Sequence, residues 1–181
     1  MTGPVWLPAA AELVAVMEAV VEGAPPPAHP AWVSPVVELV QSNLQQWELE
    51  DLTRDPLASD EVVARAKREI DRLNVGRHHL IEQIDATIEA GIDQRATAPL
   101  ATESPGMVLD RLSVLVIRRA RTASASARAP QYAQRLPELD ARLAGLSFAF
   151  DSYIDELRAG TRQFLPYEGF KLYGSSASVE G

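Results

Sequence analysis

The stripe Val63, Ala66, Ile70, Leu73, Leu80 and Ile84 constrains this chain more than any other feature. Apolar residues recurring at alternating spacings of three and four share one side of an α-helix but fall on both faces of a strand. The slot between Leu73 and Leu80 is Arg77. A guanidinium brought to a packing face without a partner is expensive, so this residue requires either a polar network in the core or a cavity that binds something. An earlier helix repeats the pattern. Its stripe of Val36, Val40, Leu44 and Trp47 also presents Asn43, Asp51 and Arg54, with Glu50 at the edge.

Helical boundaries follow from local chemistry. A first helix is expected from about Ala9 to Val21, stopped by Gly23 and the run Pro25, Pro26, Pro27. Residues 24–33 should form an extended, polyproline-like connector. Ser34 before Pro35 reads as a cap for a second helix reaching Arg54. Ser59, with Asp60 and Glu61 behind it, opens a third that reaches Ala90. Gly76 inside it marks either close approach of another group or a tolerated exposed glycine. Ser104 and Pro105 open a fourth helix that fades after Thr122, and a fifth runs from about Pro137 to Arg158. Ring-bearing residues from Phe164 to Tyr173 should pack back on the body. The fold class is therefore all-α: one domain over residues 1–174, a bundle of about five helices around a long central helical hairpin. Residues 160–173 form its aromatic C-terminal segment, and residues 175–181 a disordered tail.

Charge and composition exclude several functions. A net charge of -8 removes the basic face that nucleic acid requires. The basic run Arg118, Arg119, Arg121 reads as a solvated last helical turn. With no cysteine there is no thiolate metal site, disulfide or thiol nucleophile. Neither a signal peptide nor a membrane span is expected, and a cytoplasmic location fits. Nucleotide-binding glycine motifs are absent. Ser113 lacks the surroundings of a hydrolase nucleophile and should bond back to its own helix.

The third helix presents Lys67, Asp71, Asn74, His78 and Asp85 beside its apolar stripe, where they could converge with the polar face of the second. Carboxylates in such a niche can serve as general acid or base while an arginine holds an anion. A closed salt-bridge network draws on the same residue types. His78 and His79 stand four and three residues before Glu82, which suggests a metal site, but the order differs from the Glu-x-x-His of di-iron bundles.

Together these residues resemble a known family. Asn43, Trp47, Glu50, Asp51 and Arg54, then Lys67, Arg68, Ile70, Asp71, Leu73, Asn74, Arg77, Leu80, Ile81, Glu82, Ile84 and Asp85, are similar to bacterial domain-of-unknown-function family 4254. Ser104-Pro105-Gly106 with Asp110-Arg111-Leu112-Ser113 resembles its fourth-helix signature. Gly160, Arg162, Phe164, Tyr167, Phe170, Lys171 and Tyr173 resemble its C-terminal one. The chain departs from the pattern at Glu48, His78, His79 and Gly174. The resemblance implies a helical protein, of a family whose members often accompany glycan, glycosyltransferase or specialised-metabolite genes.

The expectation is a cofactor-independent biosynthetic enzyme performing cyclisation, dehydration or group transfer on a small molecule. Glu50 or Asp51 would be the acid/base and His78 a second. Arg54, Arg77 and Arg111 would position an anionic or carbonyl substrate, Asn74 would orient it, and Asn43, Trp47 and Lys171 would complete its binding. No cofactor and no metal are assigned. Two alternatives stand beside it: a non-catalytic helper of a biosynthetic enzyme, and a metal-dependent enzyme using His78 or His79 with nearby carboxylates. The long seam of the third helix also suggests a homodimer.

Overall fold

The computed structural model of the protein describes residues 8–169. Among them are five α-helices: α1 (Ala10–Val21), α2 (Ser34–Thr53), α3 (Asp60–Ala90), α4 (Pro105–Ser126) and α5 (Leu136–Arg158). Short 3-10 turns precede α2 at Ala31–Val33 and α5 at Pro130–Arg135. There is no strand among the described residues, only an isolated bridge between Leu100 and Gln163. The expected all-α bundle is thus the observed one, and none of its helices is long and apolar enough to cross a membrane.

The caps expected at Ser59 and Ser104 form, each hydroxyl accepting an N–H from the first turn, Val62 and Met107 respectively. Ser34 differs. The preceding 3-10 turn runs straight into α2, so Ser34 is already helical and makes no capping bond. Gly160 ends α5 with φ +66°, a left-handed conformation that glycine adopts without strain. From there the chain turns back across the bundle.

The long α2–α3 hairpin is the most extensive helix pair, and α4 packs between it and α5 while α1 lies on α2, α4 and α5. At 31 residues, α3 spans about 45 Å. Its second half carries Ile81, Ile84 and Ile88 into the main core with Leu109, Leu112, Phe150 and Leu157. Its first half buries Ala66, Ile70 and Leu73 outside that cluster. The α3 stripe is therefore consumed within the chain.

Two further expectations resolve here. A Cβ on Gly76 would meet nothing within 4 Å, so this is a tolerated glycine and not a close approach. The arginine run is not a last helical turn, because α4 continues to Ser126. Arg119 instead reaches Glu18 of α1 and Asp140 of α5, and Arg121 reaches Glu48 of α2 at 2.6 Å.

Candidate functional site

Arg77 finds its partner on α4. Its guanidinium donates to both oxygens of Asp110, at 2.8 and 2.5 Å, in the forked geometry that suits a carboxylate. Asp110 is 5% exposed and also accepts from the Asn43 amide at 2.9 Å. The same amide donates to Ser113 Oγ at 2.7 Å, and that hydroxyl donates to the Asp110 carbonyl of its own helix at 2.8 Å, the ordinary role expected of it. Three helices meet at this one carboxylate. Its hydrogen bonds raise the Arg77 pKa above the usual guanidinium value, against the opposing effect of burial.

Two clefts flank the junction. The one between α2 and α4 has a volume of about 330 Å³ and is lined by Asn43, Trp47, Glu50, Asp51, Arg54 and Arg77, six residues singled out from the sequence. Val114, Ile117 and Arg118 of α4 form its other side. The second, between α4 and α5, measures about 690 Å³ and shares Arg77, Val114 and Arg118 with the first. Leu115, Leu146 and Ala149 give it an apolar floor, while Arg111 and Arg142 add charge. Arg111 is tied to Glu103 at 2.6 Å, and Arg142 to Glu138 at 2.6 Å. Arg118 is exposed and makes no ion pair among the described residues.

The acid/base candidates are less enclosed than their sequence positions suggest. Glu50 and Asp51 have side-chain exposures of 43% and 66%, and both approach Arg54, at 3.2 and 3.9 Å. They stand at the rim in water, not in a desolvated niche. Lys67 and Asp71 pair with one another on the open face of α3 at 3.2 Å. Asn74 is half-buried and lines neither cleft.

His78 belongs to a different place. Its ring lies 5.4 Å from that of Tyr167, beneath the segment that returns after α5. That segment is fastened to α3 by carboxylates. Asp85, fully buried, accepts the Tyr167 N–H at 2.8 Å and the Gly106 N–H at 2.6 Å, and Ser104 donates its hydroxyl to it. Burial pushes the Asp85 pKa up, and those three hydrogen bonds pull it back. Glu82 accepts the Gly169 N–H at 2.8 Å and also pairs with His79 at 3.1 Å; both lower its pKa. Among the described residues no group of three or more histidines and carboxylates is placed to hold a metal ion. Lys171 lies outside the described residues.

Sequence reasoning missed Asp110 as the hub and Arg118 as a cleft cation with no ion pair among the described residues. Asp110 sat in plain view inside the Asp-Arg-Leu-Ser block, and an arginine in the apolar stripe of α3 with no acid at helical spacing was the signal to search other helices. Gly106 was also noted only as part of a signature. A Cβ there would stand 2.8 Å from both Asp85 Oδ1 and the Ile81 carbonyl, so only glycine lets α4 begin against α3.

The sequence model of a family described as "Protein of unknown function (DUF4254)" matches residues 34–165, a span that contains α2 to α5 and both clefts. No curated protein matches the chain, and no solved structure matches it.

Proposed function

The chain belongs to DUF4254, a family of proteins of unknown function, and from that premise we propose that it is an enzyme acting on a small anionic metabolite in the cleft between α2 and α4. The anionic group, a carboxylate or phosphate, sits against Arg118 with Arg77 behind it, and Trp47 flanks the body of the molecule. Glu50 and Asp51 face the reacting centre, where one removes a proton and the other returns it, as cyclisation, dehydration or group transfer each requires.

Arg118 carries this reading. In a chain of net charge -8, a cation at a cleft with no ion pair among the described residues is poised for an anion from outside. Arg77 adds N–H donors in a fixed orientation, since Asp110 holds one edge of its fork in place while balancing its charge. The exposure of Glu50 and Asp51 favours a second reading, a non-catalytic helper that binds the same kind of anion.

The test is a thermal-shift screen against phosphorylated and carboxylated metabolites, with turnover of each stabilising compound followed by NMR. Loss of a charge-assisted contact in Arg118→Ala should weaken binding about tenfold to a hundredfold. Glu50→Gln with Asp51→Asn should bind and not convert. Anion binding that ignores Arg118→Ala sinks the site, and binding by the native protein without conversion selects the helper.

A further inference from the structure

The tip of the α2–α3 hairpin carries features that no part of the proposed site uses. Leu57, in the turn between the helices, is 92% exposed, and Leu52, in the last turn of α2 at the edge of a groove, is 38% exposed. The turn is nonetheless ordered, because Asp55 accepts the Leu57 N–H on its side chain at 2.9 Å and the Ala58 N–H on its carbonyl at 3.1 Å. A leucine this exposed on a hydrogen-bonded turn is a knob without a hole.

The hole lies on the same arm. A groove of about 650 Å³ runs between α2 and α3, with Leu49, Val62 and Ala66 in its floor and Arg65, Arg68 and Arg72 along its α3 side. Leu57 does not fill it, being almost wholly exposed, although the turn that carries it adjoins the groove. Charges divide the arm in the same way. Three exposed acids, Asp55, Asp60 and Glu61, stand at the tip with Arg54, while the groove has three arginines against Glu69 alone. Arg65 and Arg72 make pairs within their own helix, to Glu61 and Glu69, and Arg68 makes none among the described residues.

We propose that this arm is a self-association surface on which two copies of the chain exchange tips, Leu57 of each entering the other's groove and the acidic turn of each lying against the other's arginines. Knob, groove and both signs of charge sit on one chain, so a two-fold pairing satisfies all of them at once and closes without leaving a free end. A foreign partner would have to supply an apolar acidic knob that this protein already possesses. The α3 seam is not the contact, since that stripe is buried against the chain's own helices. The proposal stands independently of the anion site.

Sedimentation velocity on the full chain over a wide concentration range tests it. A reversible dimer is expected, weakened by salt. Leu57→Asp should weaken it at least tenfold, the scale set by burying a leucine, with helicity and melting temperature unchanged because Leu57 touches little in the monomer. Arg68→Glu should weaken it too, and adding Asp60→Arg to that variant should recover association. A monomer at every concentration overturns the proposal. So does a dimer indifferent to Leu57→Asp, or a tip that binds another protein but not its own copy.

Discussion

Asp85 and Asp110 are both buried carboxylates where helices meet, yet they are satisfied in opposite ways. Asp110 is met by side chains, Arg77 and Asn43, and borders a cleft. Asp85 is met by the backbone N–H groups of Gly106 and Tyr167 and by the Ser104 hydroxyl, with no cation paired to it among the described residues. Gly106 lies in the first turn of α4, where free N–H groups give a helix start its positive character, and that field takes the place of a counter-ion. One carboxylate is a joint that fastens two segments to α3. The other positions a cation where a ligand can reach it. Burial of an acid is therefore no sign of function until its donors are known.

Removing each carboxylate should separate the roles. Asp85→Ala leaves two backbone N–H groups and a hydroxyl without their acceptor in a fully buried site, and chemical denaturation should show a loss of about 3 kcal/mol or more. Below its melting temperature this variant should retain its anion affinity. Asp110→Ala is expected to cost about 2 kcal/mol, less than Asp85→Ala because Arg77 can turn toward water. Calorimetric titration should find its anion binding altered, which marks the difference from the joint. Ser113→Ala removes one bond from the Asn43 amide and should cost about 1 kcal/mol, with the cleft intact.

The smallest effect is a pH slope, and here the two acids that fasten the returning segment oppose each other. The Glu82 pKa is lowered in the folded state, so its contribution is present above the ordinary glutamate range and is lost as pH falls toward its folded value. The Asp85 pKa is raised, so its contribution is present at low pH and is lost as pH rises through its folded value. NMR titration of the side-chain carboxyls should place Asp85 above and Glu82 below their ordinary values. Glu82→Gln should flatten the part of the acid-side stability slope that Glu82 causes.

What could be read without coordinates was local. Ser59 and Ser104 cap helices through their own first turns, and the apolar stripe of α3 needs only its own spacing to be recognised. The polar face of α2 was also legible, which is why Asn43, Trp47, Glu50, Asp51 and Arg54 surround one cleft with Arg77. The demand that Arg77 have a partner was legible as well, but the partner was not. Asp110 lies 33 residues away on the next helix, and helical periodicity says nothing about which faces of two helices meet. His78 and Asp85 were grouped with the cleft because they follow the same helical face. Their actual partners include Tyr167 and the backbone of the returning segment, and backbone donors leave no mark on residue type.

The long third helix is continuous in hydrogen bonding but not in support. Its second half shares the main core with α4 and α5, whereas Ala66, Ile70 and Leu73 in its first half stand outside that cluster. Amide protons along this single helix should therefore exchange at graded rates, fastest toward Asp60 and slowest near Ile84 and Ile88, because the far end can open without disturbing the rest. A helix that looks like one rigid rod should then behave as two units of different lifetime, the outer one opening more often than the half that shares the main core.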